Sequence, residues 1–334
     1  MKHIFKLFVF VFLPLLMGGG CVKNEPVKVG FLMHSLDKER WENDRDFFIQ
    51  KVRELGGSVL VKVANNNANI QYKQAKELLR QGVKVLVVIP VDQFAAAKIV
   101  KEAHAKNVKV ISYDRLILNC PLDYYVSTDN VKIGELQAGY LTKIKPKGNY
   151  ALIGGSINDH NSQFLYIGQM NILQPLVEKG NIKIVYNELT NAWEESEGYE
   201  HAQKLLDETN NQVDAIIAGN DALALGALKA LQEKGLAGKV LIAGMDADLQ
   251  NLREIVKGNI TCTVYKPIEN LASTAAQMAM ILGEEGECEK MFQTVSNGEV
   301  LVPSVLQGAK IVNKENLKLT VISEGYQKEE GIFR

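Results

Sequence analysis

From Val27 to Tyr265, strand-length apolar runs alternate with amphipathic helical stretches, and this alternation leaves few folds open to the chain. The run VKVGFLM, Val27 to Met33, is almost continuously apolar, as a strand buried on both faces must be. A helical pattern follows through Phe47, Phe48, Val52 and Leu55 and stops at Gly56 and Gly57. Further strands are predicted at 58–64, 83–90 and 108–113, with helices around 71–80 and 94–105 between them. After 124–128 the pattern restarts. Helices at 132–144, 163–177, 198–207, 222–233 and 249–256 alternate with strands at 149–154, 182–189, 213–218, 239–244 and 260–265. Repeating strand-helix units require parallel pairing with right-handed crossovers, so two such series predict an α/β protein of two similar doubly wound lobes. No Ser/Gly/Pro-rich linker divides them, which implies short connections and more than one crossing between the lobes.

The carboxyl ends of the strands are where a ligand sits in such sheets. The stretch VKVISYDR, 108–115, ends a strand on Asp114 and Arg115, an acceptor beside a planar five-donor fork. The second series repeats this chemistry. VDAIIAG runs into Asn220 and Asp221, KVLIAG into Met245 and Asp246, and GNYALIGGS into Asp159, His160 and Asn161. Taken singly, an Asp or Asn after a strand is a helix cap, and Asp221 and Asp248 are read as caps. Taken together with Arg40 and Trp41 at the start of the first helix and Trp193 after strand IKIVYNEL, the polar rims of both lobes outnumber what capping needs. Carboxylates, carboxamides and guanidinium forks satisfy hydroxyls that both donate and accept, while flat indole faces bury C–H surfaces, the pattern that suits a sugar.

Catalytic readings find less support. GGSIND lacks the second glycine of a GxSxG elbow, so its glycine pair reads as close packing. There is no GxxxxGK[ST] loop and no GxGxxG after a strand, and the Asp246 and Asp248 pair has no assured separation for glycosidase chemistry. A net charge of -1 over 334 residues, with signs interspersed, gives no basic stripe for nucleic acid. The N-terminus stands apart: Lys2 and Lys6 precede an apolar run, Leu7 to Met17, then three glycines and Cys21, the layout of a signal peptide over 1–21. The Cys after small residues resembles the lipobox of bacterial lipoproteins, which makes Cys21 the expected lipidation site; Gly18 departs from the Leu usual in that motif, which leaves ordinary secretion as the alternative. Cys120, Cys262 and Cys288 show no metal-ligand spacing, so no metal or cofactor is expected, and one optional disulfide stays open.

The stretches ERWENDRD (39–46), SYDR (112–115), STDNVKIGELQA (127–138), GNDA (219–222), GMDADL (244–249) and TVYKPI (263–268) together resemble the periplasmic sugar-binding proteins of ABC transporters, of the ribose-binding type. The resemblance covers nearly everything after the signal peptide. It implies a type I periplasmic binding protein fold, two lobes joined by three crossings with the ligand between them, and no catalysis. Its topology implies a first lobe of 27–128 plus 267–297 and a second of 129–266 plus 298–334, with hinges near 127–129, 265–267 and 299–303. The implied ligand is a monosaccharide, D-xylose or a relative. Carried over residue by residue, Arg40, Asp114, Arg115, Asn161, Asn220, Asp246 and Lys266 would hydrogen-bond its hydroxyls while Trp41 and Trp193 stack on its faces. Three positions depart from the pattern: His34-Ser35 stand where xylose binders carry two acidic residues, and Met245 replaces a polar residue. The implied partner is a membrane permease of an ABC transporter; the alternative is a membrane histidine kinase to which the protein reports xylose.

Overall fold

The computed structural model describes residues 26–288 and 293–334. The first series forms β1 (Lys28–Met33), α1 (Glu39–Glu54), β2 (Ser58–Val63), α2 (Ala68–Arg80), β3 (Val85–Val88), α3 (Ala97–His104), β4 (Lys109–Tyr113) and β5 (Tyr124–Thr128). The second forms α4 (Asn130–Ile144), β6 (Gly148–Ser156), α5 (Asn161–Glu178), β7 (Ile182–Thr190), α6 (Glu195–Glu208), β8 (Ala215–Ala218), α7 (Asp221–Glu233), β9 (Leu241–Ala243), α8 (Leu249–Lys257) and β10 (Thr263–Tyr265). Each predicted strand and helix appears in its predicted order. The remainder adds α9 (Ile268–Glu285), β11 (Gln293–Ser296), β12 (Leu301–Gln307) and β13 (Lys310–Val312).

The first sheet has the order β11-β12-β5-β4-β3-β1-β2, parallel except for β11. Its inner strands β1, β3 and β4 are buried on both faces for the reason their sequences are continuously apolar. Phe31 and Met33 pack with Phe48 of α1 and with Leu271, Ala275 and Ala279 of α9, while Leu32 packs on the other face with Leu78 and Val100. The second sheet has the order β7-β6-β8-β9, extended by a bridge from Ala243 to Cys262 toward the β10-β13 pair. Here Ala151 and Ile153 face one layer of helices, and Tyr150 and Leu152 the other. In each sheet the strand order reverses beside the first strand, β1 or β6, which opens a crevice at the strands' carboxyl ends.

The tail follows a different course from the one expected. β12 pairs with β5 as far as Gln307, so residues 301–307 belong to the first sheet and not to the second lobe. The third crossing falls at Gly308 and Ala309, between β12 and β13, rather than at 299–303. The strand is second from the edge and half-paired on each side, with β11 over 301–304 and with β5 over 304–307, so Pro303 is tolerated where β5 does not pair and the segment lacks the continuous apolar run of the interior strands. Cys120, Cys262 and Cys288 are buried free thiols, so the optional disulfide is not formed among them.

Candidate functional site

Between the facing carboxyl ends of the two sheets lies a cavity of about 540 Å³. Arg40, Trp41, Asp114, Arg115, Asn161, Trp193, Asn220, Asp246 and Lys266 all line it, the full set of side chains singled out above. Cys21 lies outside the described residues.

Arg40 is the centre of its charge. It sits in the first turn of α1, 5% exposed, and each of its nitrogens meets a different carboxylate. Nε lies 3.3 Å from Asp44 Oδ2, Nη1 lies 3.3 Å from Asp246 Oδ1, and Nη2 donates to Asp114 Oδ1. Lys266, at the end of β10, adds its ammonium 2.7 Å from Asp246 Oδ1. Burial alone would raise the Asp114 carboxyl, but Arg40, Lys266 and Arg115 outweigh it and bring it down to about 2. Asp246 is lowered likewise, with Lys266 and Arg40 overcoming burial. Both carboxylates stand on left-handed backbone, Asp114 at φ 62° and Asp246 at φ 107°. Such strain in non-glycine residues persists where the surroundings hold it. At Asp114 the holding groups are visible: its carbonyl accepts from Tyr125 Oη (3.1 Å), Ser127 Oγ (2.7 Å) and, from the second lobe, Asn161 Nδ2 (3.1 Å).

Arg115 also joins the lobes, with Nε 2.9 Å from Asp159 Oδ2. Its Nη2 lies 3.4 Å from His34 Nε2. A guanidinium only donates, so Nε2 is assigned as the acceptor and the imidazole carries its proton on Nδ1. Burial, Arg115 and Arg40 all push His34 well below the usual histidine range, which keeps it neutral. A further cross-lobe contact runs from Lys38 Nζ to Glu194 Oε2 (3.3 Å) and the Trp193 carbonyl (3.4 Å).

The two indoles are seated by different means. Trp41 is held by cations and an edge contact: the Arg40 guanidinium lies 4.1 Å from its ring centroid and the His34 ring meets it at 4.5 Å and 81°. Trp193 rests on glycines. A Cβ built on Gly155 would lie 1.9 Å from its Cη2, and one on Gly219 would lie 3.0 Å from Cζ3. The GGS pair therefore marks close packing, as its sequence context suggested, and what packs there is an indole of the cleft.

Capping falls on a different residue from the one expected. Asn220, not Asp221, caps α7, its Oδ1 accepting from Leu223 N at 2.9 Å, while its Nδ2 donates to the Trp193 carbonyl. Asp221 instead lies behind the cleft, accepting from Asp248 N (2.8 Å) and Thr263 Oγ1 (2.7 Å). Asp248 occupies the cap position of α8 without a side-chain cap bond and lines the cavity. Asn161 is also less free than its type implied, because its Oδ1 accepts from Asn130 Nδ2 at 3.0 Å. The sequence reading missed Asp44, which lies within ERWENDRD but at no strand end, and the cavity-lining residues Asp37, Asn66 and Asn191. A carboxylate four residues after Arg40 on one helix was the available signal for Asp44.

The cleft thus presents ionised acceptors, guanidinium and ammonium donors with bonds to spare, and two aromatic faces, drawn from both lobes. Comparison with known proteins gives consistent relatives. Residues 29–287 match the family model described as periplasmic binding protein domain. The D-xylose-binding periplasmic protein of Escherichia coli is 43% identical over 94% of this chain and 95% of its own length. The protein of the same description from Haemophilus influenzae is 40% identical over 93% of each chain. Among solved structures, a carbohydrate transporter solute-binding protein from Chloroflexus aurantiacus in complex with D-glucose superposes with a TM-score of 0.85 at 25% identity, over 92% of this chain and 98% of that one.

Proposed function

This chain belongs to the periplasmic binding protein family, in which its relatives include D-xylose-binding periplasmic proteins, and from that premise we propose that its cleft captures D-xylose and passes it, chemically unchanged, to a membrane permease of an ABC transporter. The observation that carries the reading is the convergence of Arg40, Asp114 and Arg115 from one lobe with Asn161, Asn220, Asp246 and Lys266 from the other on a single cavity flanked by Trp41 and Trp193. In this reading Asp114 and Asp246 accept from sugar hydroxyls with the oxygens that Arg40 and Lys266 leave free. Arg40, Arg115 and Lys266 donate with their remaining N–H bonds. Asn220 and Asn161 add carboxamide contacts, and the two indoles take the pyranose faces. No residue is required to act as nucleophile or proton shuttle.

A pocket built of fixed donors and acceptors discriminates on hydroxyl number and orientation, since an absent hydroxyl strands its partner at a cost of about 1 to 3 kcal/mol. Glucose differs from xylose by one hydroxymethyl, so size at that position sets the sugar range. Calorimetric titration with D-xylose, D-ribose, L-arabinose and D-glucose tests the reading. Tightest binding of D-xylose is expected; tighter binding of any other sugar in the panel overturns the substrate, and no binding at all overturns the function. The transport role, as against reporting to a sensor kinase, predicts that the xylose-loaded protein stimulates ATP hydrolysis by a cognate permease complex in vesicles.

Cys21 completes the proposal as the acylated N-terminus of the mature protein, which would tether the receptor beside its membrane partner. Intact-mass measurement of the native protein should show a diacylglyceryl addition there; an unmodified chain starting elsewhere rules the anchor out.

A further inference from the structure

We infer that Asp44 is the residue that positions Arg40 for the ligand, acting with the Tyr113 hydroxyl from behind the cleft. The inference rests on the reading of the cleft as a sugar site and adds a residue that does not line it.

Asp44 is fully buried on α1, one turn beyond Arg40. Its two oxygens divide their work: Oδ2 faces Arg40 Nε at 3.3 Å, and Oδ1 accepts from the Tyr113 hydroxyl. Tyr113 is the last residue of β4 and the neighbour of Asp114, and it too is completely buried. The Tyr113–Asp44–Arg40 chain therefore ties the helix that carries Arg40 to the strand that delivers Asp114. Of the five N–H bonds of a guanidinium, one points at Asp44, one at Asp114 and one at Asp246. Two remain. With Nε fixed at the rear, the planar fork has one orientation, and the two free N–H bonds are aimed rather than searching.

The charges around Asp44 explain why it is the adjustable member of the set. It faces Arg40 on its own helix, Tyr113 and Asp114 from β4, and Lys266 from the end of β10. Burial is the largest influence, helped by the Asp114 charge, and it pushes Asp44 up to about 6 in spite of Arg40, the Tyr113 hydroxyl and Lys266. Above that pH both oxygens accept. Below it one carries a proton, and either Nε or the phenol loses its acceptor.

The test uses the full chain, its Asp44→Asn and Tyr113→Phe variants, and two readouts. In protein labelled with 15N-arginine and free of sugar, the Arg40 Nε–H signal should exchange slowly in the wild type and be lost or broadened in both variants. D-xylose affinity should fall about tenfold in Asp44→Asn at pH 7, with a smaller loss in Tyr113→Phe. Wild-type affinity should decline as pH drops from 7 to 5. Asp248 is also pushed to about 6, but it is common to wild type and Asp44→Asn, so the difference between their pH profiles isolates Asp44. A protected Arg40 Nε–H in folded Asp44→Asn, or in Tyr113→Phe should the first variant not fold, overturns the inference. So does a parallel pH profile in wild type and Asp44→Asn. If the wild type binds no xylose, the proposed substrate fails, and the Arg40 signal still decides the role of Asp44.

Discussion

Asp114 and Asp246 stand on opposite lobes, both on left-handed backbone, and meet on the one guanidinium of Arg40. Two carboxylates would repel at that separation, and the cation between them turns the repulsion into a cross-lobe clasp. Each keeps one oxygen for a ligand, so the clasp and the proposed sugar contacts share the same side chains.

Replacing either carboxylate should accordingly be costly. Asp114→Ala and Asp246→Ala are each expected to lose at least about 2 kcal/mol of D-xylose affinity, because buried donors on Arg40 or Lys266 are left without an acceptor. Calorimetry on variants of confirmed thermal stability checks this. Unchanged affinity in either variant would remove that residue from the ligand's reach.

Gly155 offers a test of the aromatic floor. In Gly155→Ala the new methyl would lie 1.9 Å from Trp193 Cη2, and a rigid indole cannot yield at its far end as a flexible chain would. The ring must shift, at an overpacking cost of about 1 to 3 kcal/mol, and its fluorescence and the xylose affinity should both change. A variant with wild-type emission and affinity would contradict the seating of Trp193 described above.

The cleft carboxyls predict how stability varies with acid. Asp44, at about 6, is raised above its unfolded value, so its ionised form disfavours the fold and stability should rise as pH falls from above 6 toward 4. Asp114, at about 2, is depressed, so its contribution is complete above the unfolded value near 4 and is lost as pH falls from there toward 2. Buried neutral His34 acts the other way, losing stability as pH falls below about 6.5, so the variants are compared with the wild type. Chemical denaturation between pH 7 and 2.5 should show Asp44→Asn without the gain that the wild type draws from Asp44 between pH 7 and 4, and Asp114→Asn without the wild type's loss between pH 4 and 2.5. Profiles parallel to the wild type in both variants would refute the assignment.

Closure is the remaining expectation. Arg40–Asp246, Arg115–Asp159, Lys38–Glu194 and the bond from Gln93 Nε2 to the Ile157 carbonyl (3.2 Å) all bridge the lobes, and each must break if they part. A ligand contacting both sides favours the closed form through its differential affinity. Small-angle scattering should show a smaller radius of gyration with saturating xylose, the motion centred on 127–129, 265–267 and the Gly308 crossing. Superimposable curves with and without sugar would exclude the hinge.

The sequence by itself determined the strand and helix order of both lobes and which strand ends carry polar residues. Those features are local: burial on both faces demands continuous apolar runs such as Val27 to Met33, and a rim begins where such a run stops. The family resemblance then supplied Lys266 and the pairing of Trp41 with Trp193. What only the tertiary structure decided is how residues far apart in the chain divide their bonds. Asn220 and Asp221 are equivalent in sequence as caps, yet only the approach of β10 and the Asp246 loop gives Asp221 the Thr263 hydroxyl and the Asp248 amide. β12 joins the first sheet because β5 presents a free edge there, a fact about strand order that no property of Leu301–Gln307 records. Asp44 reads as one charge on a charged helix, and it becomes the anchor of Arg40 only when β4 brings the Tyr113 hydroxyl against it and burial removes the water that would otherwise satisfy it.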